Sequence, residues 1–316
     1  MKAVVYDQYG PPEVLSVREV PLPVAGKGQI RIKVAATSLN LSDWECLLGS
    51  PAYARIGGLW KPARNVLGSD IAGVVDQVGE GVSRFKPGDE VYADNLDLKG
   101  GFAEYAIAPE SAAALKPPTL SFVEASTLPQ SGAIALQGTR LARPGTRVLI
   151  NGAGGGTGSF AIQLAKRAGA HVTGVDNATK LDHMRAAGAD EVIDYQLDDY
   201  TQGGKYDLIL DLVARRSVFA YRRALKRGGT YRCVGGTSRS LLRILTAGGL
   251  VGLASGRSIG VLAVNEGPAY FQPLAELCVA GEIRIHVDST YTLDHTADAL
   301  ARVGEGRALG KVVVEI

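Results

Sequence analysis

The chain has 316 residues, a length typical of two domains rather than one. Hydrophobic residues make up 46% and charged residues 21%, enough for a full core, which excludes a disordered, coiled-coil or collagen-like chain. Lysine plus arginine is 34 against 32 aspartate plus glutamate, so the net charge of +2 points to neither a nucleic-acid partner nor a membrane surface.

The opening Met-Lys-Ala-Val-Val-Tyr reads as a strand without a cleavable apolar core. Pro21, Pro23 and Gly26 mark an early loop. Gln29 to Val34 alternates Ile30, Ile32 and Val34 with Arg31 and Lys33, the pattern of a half-buried strand. Lys86-Pro87-Gly88-Asp89 is a turn leading into a strand over Glu90 to Ala93, and Phe102 to Ala108 alternates again. Helical periodicity is scarce before residue 121, so the first third is expected to be β-rich.

The pattern changes at Lys116-Pro117-Pro118. Strands are expected at Arg147 to Asn151, His171 to Val175, Glu191 to Asp194, Tyr206 to Asp211, Thr230 to Val234 and Gly260 to Val264. Between them, Ala161, Leu164, Ala165 and Ala168 define one helix face, Leu181 and Met184 a second, and Val218, Tyr221 and Leu225 a third. This alternation predicts an α/β fold with a doubly wound parallel sheet. A helix is expected from Pro268 to Ala280, then strands at Ile283 to Ile285 and Lys311 to Val314, a tail returning to the first domain. The domains are read as 1–118 plus 267–316, β-rich, and 119–266, the parallel sheet. The most apolar stretch, Ile244 to Gly256, is shorter than the ~20 residues a bilayer needs and is read as a pocket-lining or interface segment. Cys46, Cys233 and Cys278 lie too far apart for a zinc ribbon, and a cytoplasmic setting is expected.

Glycine is the compositional outlier, 40 of 316 residues against a usual ~7%. Its densest run, Asn151-Gly152-Ala153-Gly154-Gly155-Gly156-Thr157-Gly158, falls between a predicted strand and a predicted helix. Backbone N–H groups and a helix dipole meet a dinucleotide pyrophosphate at such a junction. The spacing is G-x-x-G-x-x-G, at Gly152, Gly155 and Gly158. Asp176 ends the second strand, placed to accept hydrogen bonds from the adenosine ribose hydroxyls and to repel a 2′-phosphate. That favours NAD(H), while Lys180, four residues on, is placed to offset the repulsion. Asp176 also reads as a helix cap.

With these residues the chain resembles the medium-chain dehydrogenases/reductases, over almost all of its length. Val66 to Val75, Pro87 to Val91 and Gly101 to Tyr105 resemble the signatures of their GroES-like catalytic domain. Asn151 to Gly158 is similar to the nucleotide loop of their quinone oxidoreductases, and Gly310-Lys311-Val312-Val313 to their closing strand. The resemblance implies a Rossmann nucleotide-binding domain, a homodimer through an edge of its sheet, and a family habit of NADP(H). Zinc alcohol dehydrogenases of the superfamily hold a catalytic metal on Cys, His-Glu and a second Cys or Asp. Here those positions read Asn40, Ser69-Asp70 and Gln130-Ser131, and Tyr92 to Gly101 carries no structural-zinc cysteines. No metal is therefore expected. The four histidines are scattered.

The expected chemistry is that of the zinc-independent, zeta-crystallin-like quinone oxidoreductases: hydride transfer from NAD(P)H to a quinone or an activated C=C of an α,β-unsaturated carbonyl. Asn40 looks like the family's nicotinamide-side asparagine and a donor to the substrate carbonyl. It also reads as a turn residue before Ser42. Ser69 is expected to line the pocket. Tyr53 is the weak candidate for a proton donor, with solvent as the other source. Thr127, Leu212, Val213, Gly235, Gly236 and Val264 are expected beside the cofactor, together with the glycine loop. Two other readings stay open: a nucleotide-binding protein without significant turnover, and a zinc-free alcohol dehydrogenase.

Overall fold

A computed structural model describes residues 1–56 and 58–316. Its strands, in chain order, are β1 Lys2–Val5, β2 Ser16–Glu19, β3 Gln29–Ser38, β4 Asp70–Val78, β5 Glu90–Asp94, β6 Tyr105–Pro109, β7 Ala113–Leu115 and β8 Arg147–Asn151. They continue as β9 His171–Asp176, β10 Glu191–Asp194, β11 Tyr206–Asp211, β12 Leu225–Cys233, β13 Ser258–Val261, β14 Val287–Thr292 and β15 Lys311–Glu315. The chain divides into two compact units, Met1–Ala133 with Asn265–Ile316, and Ile134–Val264.

The first unit is β-rich. Its main sheet runs β14-β15-β3-β4-β5-β7, with β6 also on β3. Strand β3 buries Ile30, Ile32 and Val34 against Ile71, Val75, Val91 and Ala106, while Lys33 stays exposed, as the alternation requires. One polar row crosses the sheet at the end of these strands: Ser38 on β3 faces Asp70 on β4, and Asp70 faces Asp94 on β5.

The helix Leu41–Leu48 interrupts this β-rich third where the sequence suggests only a turn. Asp43 accounts for its start, since its carboxylate accepts a hydrogen bond from the Asn40 backbone N–H at 3.0 Å. Phe102 and Ala103 fall outside β6, because the Phe102 backbone pairs with Leu67 and Val4 instead.

The second unit is a six-stranded parallel sheet in the order β10-β9-β8-β11-β12-β13. Counted from β8 this is 3-2-1-4-5-6, the Rossmann order, with its reversal between β8 and β11. The strands read as short apolar runs because both faces are buried: Val148, Leu149, Ile150, Ile209 and Leu210 are fully buried.

Three strands lie away from their expected places. Strand β12 begins at Leu225, expected on the preceding helix face, because that helix ends at Ala224. The segment 283–285 is not β. The Gly281, Glu282 and Ile283 N–H groups cap the helix Gln272–Val279 through the Cys278 and Leu277 carbonyls, and the strand starts at Val287. Strand β13 starts at Ser258 and ends at Val261, set by the Thr230–Ser258 register. The apolar stretch after Arg243 forms a π-helical turn, Ile244–Gly248, then the helix Gly249–Ala254, and it exposes Leu245, Leu250 and Leu253. Among the described residues no helix is long and apolar enough to cross a membrane.

Candidate functional site

In the parallel-sheet unit the glycine run joins β8 to the helix Gly156–Arg167. The chain turns at Gly152 (φ +83°), which only glycine adopts without strain, and the Gly152 and Ala153 N–H groups donate to the Val175 carbonyl. A Cβ on Gly158 would strike the Gly152 carbonyl oxygen and come 2.5 Å from Ala153 Cα, so loop and helix close together only with glycine there. At Gly155 a Cβ would meet nothing nearer than 3.7 Å, which leaves that face open to an approaching group. The first-turn N–H groups of Gly156, Thr157 and Gly158 have no acceptor within their own helix. An anionic pyrophosphate would supply one, and the residues present fit a dinucleotide.

The ends of the neighbouring strands gather at this loop. Gly152 packs against Leu212 and Val213, where a Cβ would lie 3.2 and 3.3 Å from their side chains. Gly235 and Gly236 follow β12, with Gly236 backed by Ala214. Val264 lies three residues beyond β13. The Asp176 carboxylate accepts from the Gly154 N–H at 3.0 Å and the Asn177 N–H at 2.9 Å, and Lys180 Nζ lies 3.6 Å away. Asp176 and Lys180 are both buried. Asp176 thus shapes the loop, and Lys180 is already committed to Asp176.

Asp211 was not singled out by the sequence. Fully buried at the end of β11, it accepts from Asn151 Nδ2 (2.8 Å), Tyr231 OH (2.9 Å) and the Val213 and Ala214 N–H groups. One carboxylate therefore fixes the ends of three strands beneath the glycine loop.

In the β-rich unit a second cluster forms around Lys311, the first residue of β15. Its ammonium is buried and donates to Asn40 Oδ1 at 2.7 Å, Ser131 Oγ at 3.1 Å and the Leu39 carbonyl at 3.3 Å, with Asp70 Oδ2 at 3.6 Å. Asp70 is fully buried and also accepts from Ser38 Oγ and the Gln130 N–H. Burial raises the Asp70 pKa and lowers that of Lys311, and the charge of each partner opposes the shift of the other. Asn40 Nδ2 faces Ser69 Oγ at 3.4 Å. Asn40, Ser69, Asp70 and Ser131, the positions that match the metal ligands of zinc relatives, are thus brought together around an ammonium.

Asp94 lies beside Asp70 in the cross-strand row. Burial, the Asp70 charge and then Glu266 push its pKa up to about 8, and its Oδ1 has no hydrogen-bond partner among the described residues. Lys99 Nζ lies 3.8 Å from Asp43 in the same region. Tyr53 donates to Glu45 Oε2 at 3.0 Å, and burial together with that carboxylate raises its pKa, which makes the phenol a poorer acid. Thr127 is buried, its hydroxyl bonded to the Glu124 carbonyl at the end of the helix Phe122–Ser126.

The residues at the metal-matching positions do not fit zinc. They supply no thiolate or imidazole, and the Lys311 charge would oppose a dication among them. Among the described residues no three His, Cys, Asp or Glu side chains are grouped to hold a metal ion. The signal for Lys311 was a charged residue heading the three valines of the closing strand.

Two family matches span most of the chain. Residues 26–118 match the alcohol dehydrogenase GroES-like domain, and residues 187–314 match a family described as zinc-binding dehydrogenase. The chain is 33% identical to a chloroplastic quinone oxidoreductase of Triphysaria versicolor, over all of this chain and 98% of that one. It is 31% identical to a chloroplastic NADPH-dependent alkenal/one oxidoreductase of Arabidopsis thaliana, over 99% of this chain and 79% of that one. The structure of the quinone oxidoreductase from Coxiella burnetii superposes with a TM-score of 0.90 at 30% identity, covering 100% of this chain and 99% of that one. Glycine loop, Rossmann strand order, GroES-like sheet and full-length identity converge: the chain belongs to the quinone oxidoreductase family of the medium-chain dehydrogenases/reductases.

Proposed function

We propose that this protein is a metal-independent NAD(P)H-dependent reductase of quinones or α,β-unsaturated carbonyls. The observation that carries this reading is the Lys311 ammonium bonded to Asn40 and Ser131 and paired with Asp70, where zinc relatives place soft ligands. Relatives named quinone oxidoreductase and alkenal/one oxidoreductase support the substrate class. The glycine loop, Gly152 to Gly158, would hold the pyrophosphate, and Leu212, Val213, Gly235, Gly236, Val264 and Thr127 would border the rest of the cofactor. The reduced nicotinamide supplies the hydride when bound. Asn40 donates to the substrate carbonyl oxygen, where negative charge grows, and Ser69 lines the pocket beside it. The bond from Tyr53 to Glu45 favours solvent over Tyr53 as the proton source.

NADH is the preferred cofactor in this reading. Lys180 is buried on Asp176 and is poorly placed to neutralise a 2′-phosphate, so the carboxylate dominates at the ribose. A homodimer through an edge of the parallel sheet and a cytoplasmic setting complete the proposal.

The test is loss of absorbance at 340 nm with NADH and NADPH in parallel, against quinones and enones, with and without a chelator. Chelator-insensitive oxidation, faster with NADH, is expected. Binding of either nucleotide without turnover would overturn the reductase reading in favour of a binding protein. Reduction of NAD(P)⁺ by alcohols alone would favour the alcohol dehydrogenase.

A further inference from the structure

We propose that Lys311 is a positioning residue, an internal cation that holds the amide of Asn40 in one orientation with its NH₂ group turned toward the substrate side. The role of Asn40 rests on the reductase reading. The orientation itself stands on the geometry.

An ammonium has donors only, so the Asn40 atom 2.7 Å from Lys311 Nζ must be the amide oxygen. The other groups around the ammonium are oxygens too: Leu39 and Ser131 at hydrogen-bond distance, and Asp70 as counter-ion at 3.6 Å. Ser131 Oγ also lies 3.5 Å from the same Asn40 oxygen. Turning the amide over would set an NH₂ group against an ammonium in a buried pocket, a donor–donor clash at high cost. The oxygen end of Asn40 is therefore committed to Lys311. The nitrogen end lies against the Asp70 carboxylate and faces Ser69 Oγ at 3.4 Å, long for an N–H···O bond. The hydrogen on the Ser69 side is the one available to a substrate oxygen. Asn40 is also the N-cap of the helix Leu41–Leu48, in a capping box with Asp43 whose carboxylate holds the Asn40 backbone N–H.

Asp70 completes the device. It neutralises the buried ammonium, and its own position is fixed by Ser38 and the Gln130 N–H. Lys311 reaches Asn40 across 271 residues of sequence, so the closing strand sets the orientation of a residue in the first domain segment.

The experiment is a double-mutant cycle on enone and quinone reduction with Asn40→Ala, Lys311→Met and the two together. Each single change is expected to lower kcat/KM about 10- to 100-fold. The pair is expected to lose no more than the worse single, because both remove one oriented donor. The dissociation constant for NADH, followed by its fluorescence, should move less than about threefold. Multiplicative losses, or Lys311→Met within twofold of the parent, would overturn the proposal. If Lys311→Met does not fold, Lys311→Met with Asp70→Asn removes both buried charges and enters the same cycle.

A readout independent of turnover keeps the proposal separate from the reductase reading. The chain has six asparagines, so selective ¹⁵N-asparagine labelling yields six side-chain NH₂ pairs. The Asn40 pair, assigned by its loss in Asn40→Ala, should shift in Lys311→Met while those of Asn151 and Asn177 stay. An unmoved Asn40 pair would refute the orientation even in an active enzyme. A shifted pair in a protein that reduces no quinone or enone would uphold the orientation and sink the reductase reading alone.

Discussion

Asp94→Asn tests the electrostatics of the buried cluster. Asp94 sits beside the Asp70 carboxylate, with Glu266 as a second carboxylate acting on it and Lys99 as the opposing cation. Asp94 is 5% exposed, and its pKa rises from 3.8 to about 8, chiefly through burial and then through Asp70. The native state therefore keeps a proton that the unfolded chain loses above about pH 4. Stability falls as pH rises between these values, by at most ~1.4 kcal/mol per pH unit from this group and ~6 kcal/mol over the whole range. Above pH 8 the contribution levels off. Asn has nearly the same shape and no titration, so the variant should lose this slope. Urea denaturation of both proteins at pH 5.5 and 7.5 should show the variant gaining roughly 2–3 kcal/mol relative to the parent between the two values. Parallel curves for the two proteins would mean that Asp94 ionises normally in the fold.

Three other changes test the nucleotide side. Gly158→Ala brings a methyl group 2.5 Å from Ala153 Cα and against the Gly152 carbonyl, and the affinity for NADH should fall roughly tenfold or more by fluorescence titration; an unchanged constant would remove the loop from the binding site. Asp176→Ser frees Lys180 for a 2′-phosphate and should shift the ratio of NADH to NADPH affinity toward NADPH, whereas a constant ratio would take Asp176 out of the ribose site. Tyr231→Phe strips one of the bonds to buried Asp211 and should cost about 1.5–3 kcal/mol of stability in urea; no loss would show that Asp211 does not need that bond.

What the sequence showed and what it hid divide chiefly by sequence distance, with the helix Leu41–Leu48 a local exception. The strands His171–Asp176 and Tyr206–Asp211 were legible because a strand buried on both faces is a short apolar run between turns. The glycine loop was legible because its contacts are local: Gly152, Ala153 and Gly158 need one another within seven residues. The helix Leu41–Leu48 was hidden because its start depends on Asp43 returning to the Asn40 N–H, not on a long apolar stripe. Asp94 was hidden because its pKa is set by a cross-strand neighbour, Asp70, as well as by burial. The Lys311 cluster was hidden most deeply, since it joins Asn40, Asp70 and Ser131 to the last strand, and no local window holds them together.

The most direct measurement follows the hydrogen itself. Metal-stripped protein would be given an α,β-unsaturated ketone and NADH carrying deuterium at both C4 positions, and the product examined by NMR. Metal-independent reduction of the C=C predicts a saturated ketone with one deuterium on the β-carbon. Deuterium on the carbonyl carbon of an alcohol product, or transfer that returns only when zinc is restored, would contradict it.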